Sequence, residues 1–257
     1  MSSKNEAFSN AVSQYLTYTK MPWGKLFYLT AWNQIDSHLE SFEKSILDIG
    51  CGFGITSLEY SRRGCQVTGI DPTPEMLRIA QEDAEREGLT TTFINADFQS
   101  ASRLADRYDA IFCHNILEYV EDPRGFIKRI GDKQNEHGML SLIAHNPAAK
   151  IMKKAIVNKD PEEALASIGN TREYSSIIQT DLTVYSIDEI KKWLRECGYE
   201  VQNTYGIHNV YGYITDNKIK QDETWNDKIV KLEMELGPLQ PFKDIALFTH
   251  YIATKRR

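Results

Sequence analysis

No apolar run in the 257-residue chain approaches bilayer-spanning length, and its first ten residues lack the charged-then-apolar pattern of a secretory signal. Neither a membrane protein nor a membrane partner is expected. Cysteine is scarce: Cys51, Cys65, Cys113 and Cys197 lie far apart and never in CxxC spacing, which speaks against a zinc site or a disulfide framework. Thiols in apolar or glycine-flanked stretches behave as small hydrophobes, so the expected compartment is the cytoplasm and no metal is expected. Positive charge is also short, with 30 Lys and Arg against 36 Asp and Glu. The net charge of −6 argues against non-specific coating of nucleic acid and against DNA as a partner, though a local basic patch could still reach one RNA loop. Repeats and low-complexity linkers are missing too. What remains, 41% hydrophobic and 26% charged, suits a single globular domain over residues 1–257.

Periodicity divides that domain. Ala7–Tyr18 and Lys25–Leu39 carry apolar residues at helical spacing, with a turn expected over Met21-Pro22-Trp23-Gly24; residues 1–41 read as a helical cap. Strand then alternates with helix: Ser45–Ile49, a helix Ile55–Arg63, Gln66–Ile70, a helix Pro74–Glu87, Thr91–Asn95, Tyr108–His114, a helix over Gly125–Ile130, and Met139–His145 after a turn at Gly138. Residues 146–185 break the rhythm and read as a lid inserted after the fifth strand. Ser186-Ile187-Asp188-Glu189 is a capping box opening another helix, and Tyr199–Gly206 and Ala246–Thr254 complete seven strands around a helix near Trp225–Leu236. Alternation of this kind makes a doubly wound α/β fold: a mostly parallel seven-stranded Rossmann-like sheet with helices on both faces. Ligands of such sheets sit outside the carboxyl ends of the strands.

The chemistry concentrates at those ends. Asp48-Ile49-Gly50-Cys51-Gly52-Phe53-Gly54 follows the first strand, and its glycines let backbone approach a nucleotide-like ligand. The dinucleotide fingerprint wants Gly or Ala where Ile55 stands, and the Asp48 carboxylate would repel a pyrophosphate seated on the following helix. The same carboxylate favours a ligand carrying an ammonium and a sulfonium, which describes S-adenosylmethionine rather than NAD. Asp71, ending the second strand, can accept both ribose hydroxyls; the plain alternative is a turn residue before Pro72. Asp97-Phe98 ends the third strand, where it could meet the adenine edge or simply start a loop.

Taken as a set, these strand ends resemble the class I S-adenosylmethionine-dependent methyltransferases. The fourth end, His114-Asn115-Ile116-Leu117-Glu118-Tyr119-Val120-Glu121-Asp122-Pro123, resembles the Leu-Glu-aromatic-Val-x-Asp-Pro run of many small-molecule members. Gly24-Lys25-Leu26, Ala31-Trp32, Ile35-Asp36, Cys113-His114, Ser141-Leu142 with Asn146, and the terminal Thr249-His250-Tyr251-Ile252-Ala253-Thr254-Lys255 look like the bacterial tRNA 5-carboxymethoxyuridine methyltransferases, which methylate a wobble-uridine carboxylate. That resemblance implies cofactor contacts at Gly50, Cys51, Asp71, the Phe98 region and His114. A family arginine falls on Phe27, leaving Lys25 nearby as a further candidate, and the lid offers Arg172 against Glu162, Glu163 and Glu173.

In-line methyl transfer is driven largely by proximity, and a carboxylate acceptor needs no base, so no catalytic base is assigned. Asn115, Glu118, Tyr119 and His145 are the candidates nearest the expected methyl, and Tyr174, Tyr185, Tyr211 and Tyr213 could wall the acceptor. The leading expectation is an O-methyltransferase acting on a tRNA nucleotide, with Lys150, Lys153 and Lys154 as phosphate contacts. A small-metabolite methyltransferase is the alternative enzyme. A non-catalytic cofactor-binding protein is the alternative class, disfavoured because Asp48 and Asp71 are both present.

Overall fold

Alternation along β1 (Ser45–Ile49) sends Ile46 and Asp48 to one face and Leu47 and Ile49 to the other, so a strand this buried needs a helical layer on each side. Those layers are present in the protein, a computed structural model that describes residues 3–39, 41, 44–99, 104 and 107–256. Residues 1–2 and 40 of the expected cap lie outside the described residues.

The cap contains α1 (Ser3–Lys20) and α2 (Pro22–Asp36). The turn expected over Met21–Gly24 is confined to Met21, because Pro22 opens α2 at a position where its missing N–H costs nothing. After β1 come α3 (Ile55–Arg62), β2 (Gln66–Asp71), α4 (Pro74–Glu87), β3 (Thr92–Asn95), β4 (Tyr108–His114), α5 (Pro123–Asp132) and β5 (Gln134–His145). The Gly138 turn proves to be an irregularity inside β5: His137 is left-handed and the register on β4 slips between Tyr108 and Ala110. Residues 146–185 hold α6 (Pro147–Ile156), α7 (Pro161–Ala166) and a hairpin of β6 (Arg172–Ser175) and β7 (Thr180–Thr183). Then follow α8 (Ile187–Glu196), opened by the expected capping box, β8 (Tyr199–Ile207), α9 (Glu223–Leu236) and β9 (Phe248–Lys255).

The sheet runs β3-β2-β1-β4-β5-β9-β8, parallel from β1 through β5, with β9 antiparallel to both neighbours. One face packs Leu47, Ile111, Leu140 and Leu142 against Phe126, Ile127 and Ile130 of α5 and Ile190 and Leu194 of α8. The other sets Ile46, Phe112 and Ile252 against Ile35 of α2 and Tyr60 of α3. Strand order reverses between β1 and β4, and a crevice opens at their carboxyl ends.

Candidate active site at the carboxyl ends of the parallel strands

A cavity of about 530 Å³ fills that crevice. Its floor is the glycine turn. Gly50 is left-handed at φ 68°, and a Cβ there would lie 2.2 Å from Ile116 Cδ1, so the backbone occupies space that a side chain would take from the cavity. Gly54 is left-handed too but does not line the cavity; a Cβ would meet Phe93 and Ala80, and its absence lets α3 settle on β3 and α4.

Two buried carboxylates stand on the wall. Asp71 accepts hydrogen bonds from the backbone N–H groups of Gly52 at 3.0 Å and Thr73 at 2.8 Å. It therefore binds the turn to β2; burial raises its pKa, opposed by those two backbone bonds and by one from the Thr73 side chain. Asp48 accepts from Ser57 Oγ at 2.6 Å and forms no ion pair among the described residues. Burial pushes its carboxyl up to about 7, with Ser57 opposing the shift. A buried acid held this way is short of positive charge. Asn115 supplies a second unmet acceptor: it is left-handed at φ 56°, and its buried Oδ1 has no partner among the described residues.

The remaining wall comes from farther away in sequence. Asp97 lines it and also caps its own loop, accepting from Gln99 N at 2.8 Å; both alternatives read for this residue hold together. Phe98 lies edge-on to Phe126 at 5.4 Å, and Arg129 donates to Gln99 Oε1 at 3.0 Å. The cavity also meets Phe8 and Tyr15 of α1, Phe27 and Tyr28 of α2, Phe53 and Tyr119. Tyr15 and Tyr28 share a hydrogen bond, and burial raises both phenols above their ordinary range.

Residues 46–138 match a family described as a methyltransferase domain. The ubiquinone biosynthesis O-methyltransferase of Proteus mirabilis (strain HI4320) is 30% identical over 182 residues, 68% of each chain. The chain belongs to the S-adenosylmethionine-dependent methyltransferases. The tRNA 5-carboxymethoxyuridine methyltransferase of Escherichia coli (strain K12) is 26% identical over 241 residues, 90% of this chain and 89% of that one. Among solved structures, a possible histamine N-methyltransferase from Thermotoga maritima superposes with a TM-score of 0.66 at 15% identity, covering 98% and 99% of the two chains. Magnesium protoporphyrin IX methyltransferase from Synechocystis PCC 6803 with bound SAH gives 0.54 at 17%, covering 90% and 82%.

In this methyltransferase the cavity brings together Asp48, Gly50, Cys51, Gly52, Asp71, Asp97, Phe98, His114, Asn115 and Tyr119. Three of the residues singled out beside them stand elsewhere. Lys25 is exposed on α2, outside the lining. Glu118 is buried behind the wall, where its Oε1 accepts from the backbone N–H of His145 at 2.5 Å; burial raises its carboxyl to about 7. The His145 ring packs on Phe248 at 4.9 Å, and burial lowers its pKa to about 4. The four tyrosines expected to wall the acceptor do not line the cavity either. Tyr174 is exposed, Tyr185 packs on Trp193, Tyr211 is buried beneath Lys220, and Tyr213 donates to the Ile245 carbonyl. The aromatic wall belongs instead to α1 and α2, whose rings read in the sequence only as apolar positions of a cap.

Proposed function

We propose that this methyltransferase carries the methyl group of S-adenosylmethionine to an oxygen of a small, planar, uncharged acceptor. When bound, the cofactor supplies an electrophilic methyl on its sulfonium. In this reading Asp48 and Asn115 receive the cationic methionine end, Asp71 the ribose hydroxyls, and Asp97 with Phe98 the adenine. The observation that carries the acceptor class is the aromatic end of the cavity. Phe8, Tyr15, Phe27, Tyr28 and Tyr119 offer ring faces and three hydroxyls, and Arg129, the one Lys or Arg of the lining among the described residues, is tied to Gln99. An anionic acceptor would leave its carboxylate there without a partner. A ring hydroxyl sheds a proton on methylation, and the Asp48 carboxylate, which burial pushes up to about 7, is a wall group able to receive it.

A wobble-uridine carboxylate is the second reading, and one observation favours it: the tRNA methyltransferase of Escherichia coli matches nearly end to end, the ubiquinone enzyme over two thirds. The expected phosphate contacts weigh against it. Lys150 is buried and donates to the carbonyls of Asn170 and Arg172, and Lys154 pairs with Glu163 at 2.8 Å. We read residues 146–185 as a lid that backs Tyr119 from outside the cavity, because β7 packs on the 117–119 turn and Ser175 bonds to Tyr119, while no residue of this segment lines the cavity. The four free cysteines agree with a reducing, cytoplasmic setting, and among the described residues no helix is long and apolar enough to cross a membrane. Purified protein should methylate a phenol or catechol series with S-adenosylmethionine. Turnover of carboxymethoxyuridine-bearing tRNA alone would transfer the assignment to the second reading.

A further inference from the structure

His114 stands at the head of a buried hydrogen-bonded line that runs away from the cavity, across the sheet, to α2. Its Nε2 lies 2.8 Å from Ser141 Oγ on β5; Ser141 Oγ lies 2.8 Å from Nε2 of His250 on β9; and His250 Nδ1 lies 2.7 Å from Gln34 Oε1 on α2. Gln34 Nε2 donates to the Gly206 carbonyl at 3.0 Å. Ser141 and His250 are fully buried and Gln34 nearly so.

The direction of every proton in this line follows from its far end. The Gly206 carbonyl can only accept, so the Gln34 amide must turn its NH2 that way and present Oε1 to His250. His250 therefore donates from Nδ1. Burial among His114, Tyr205 and His38, with no carboxylate bonded to it, keeps its ring neutral, so Nε2 is an acceptor. The Ser141 hydroxyl spends its proton on His250 and accepts from His114. His114 must then carry its proton on Nε2, leaving Nδ1 with a bare lone pair and no protein partner among the described residues, on a ring that lines the cavity.

We infer that Gln34, His250 and Ser141 are positioning residues that lock His114 into the Nε2–H tautomer, so that it meets the bound ligands as a hydrogen-bond acceptor. The donor it suits is either the ammonium of the cofactor or the O–H of the methyl acceptor. The inference rests on the methyltransferase assignment; its ammonium arm is independent of which acceptor is correct, and its O–H arm rests on the hydroxyl acceptor proposed above. None of the three residues lines the cavity, and none is adjacent to His114 in sequence.

The test is long-range 15N–1H correlation spectroscopy on the 15N-histidine-labelled full chain, whose six histidines are assigned by single His→Gln replacement. In the wild type, His114 should give a pyridine-type Nδ1 and a pyrrole-type Nε2. The opposite pattern, or a rapidly exchanging average, overturns the inference without recourse to any variant. Gln34→Glu places a carboxylate on His250, favours its doubly protonated form and reverses the line. His114 should then become Nδ1–H, with kcat falling at least tenfold while the circular dichroism spectrum is kept. A folded Gln34→Glu protein with a doubly protonated His250 and an unaltered His114 would also overturn it. Adding S-adenosylhomocysteine separates the two donors: a shift of Nδ1 with this product alone identifies the ammonium, and a shift only on adding a phenol identifies the acceptor. No shift with either leaves His114 without a ligand to accept from and refutes the proposed role.

Discussion

The floor of the cavity, made by the ends of β1, β2 and β4, and its cover, made by α1 and α2, hold their side chains by different means. On the floor, Asp71 is fixed by two backbone N–H groups and Asp48 by Ser57, while the turn between them is set by left-handed glycines. Those atoms have little freedom, and their unmet valences point to a ligand with a cationic end. On the cover, α1 touches the rest mostly through rings: Phe8 on Tyr119 at 5.1 Å and Tyr15 on Phe53 at 5.7 Å, with one exposed bond from Ser9 to Glu75. Helix α2 is held more firmly, by Trp32 to Thr56, Arg63 to Asp36 and Gln34 to His250. If the rigid floor holds the cofactor and the ring-packed cover the acceptor, as proposed, substitutions in the two regions should separate two binding constants.

The largest effect belongs to Asp71→Ala. If the Asp71 carboxylate accepts from both ribose hydroxyls as proposed, losing those two bonds costs about 3–6 kcal/mol, a weakening of at least a hundredfold by isothermal titration. Gly52 and Thr73 also lose their acceptor, so the melting temperature should fall as well. An unchanged dissociation constant in the folded variant would reduce Asp71 to a turn residue.

Asp48→Asn comes next, and pH sharpens it. Burial lifts the Asp48 carboxyl to about 7 in the free protein, and a cationic ligand favours the ionised form. Cofactor affinity should therefore climb as pH rises toward about 7 and level off above it. At pH 8 the Asn variant should bind about 1–2 kcal/mol more weakly, with the slope below pH 7 largely gone. A wild-type affinity that is flat from pH 5 to 8 contradicts this role.

The floor was legible in the sequence because its signals are local. Asp48 precedes its glycine turn by two residues, and Asp71, Asp97 and His114 each end or follow a run of strand character. The mostly parallel seven-stranded sheet and both helical layers followed from the same alternation; the strand order did not. The cover was not legible in the same way. Tyr15 and Tyr28 reach the cavity only because α1 and α2 fold back across the end of the sheet, and nothing in their helical spacing separates a ring that faces a ligand from one that faces the core. The same limit misassigned Glu118. It sits in a motif beside the expected methyl, but the short turn Leu117–Tyr119 aims its carboxylate inward at His145. Lys150 read as a surface charge, yet its stem and ammonium are drawn beneath the segment that follows it.

Phe8→Ala tests the cover directly. Removing the ring that packs on Tyr119 should loosen α1 over the acceptor end, raising KM for the acceptor about tenfold for a loss of roughly 1–1.5 kcal/mol. Cofactor affinity should stay within about twofold, because no floor contact changes. Steady-state kinetics with each substrate varied in turn separates the two constants. Equal losses in both would mean that floor and cover act as one unit.

The smallest effect is expected at Glu118→Gln, and it concerns stability alone. The Glu118 carboxyl is raised from 4.5 to about 7 by burial, with the neighbouring Glu173 adding to the shift. The folded state thus holds this proton more tightly than the unfolded chain. That contribution is fully present below about pH 4.5 and is lost as pH rises through about 7. Gln keeps an oxygen to accept from the His145 N–H and carries no charge to bury, while its NH2 replaces an Oε2 that has no partner among the described residues of the wild type. The relief of a buried charge and the cost of an unmet donor oppose each other, leaving a net gain of about 1 kcal/mol above pH 7.5. Thermal unfolding should show the variant melting roughly 2–4 °C higher at pH 8 and the difference shrinking or reversing by pH 5. Because Glu118 lies behind the wall, both KM values should match the wild type. A variant that melts normally but loses turnover would return Glu118 to the reacting groups and erase the boundary drawn between the floor and what supports it.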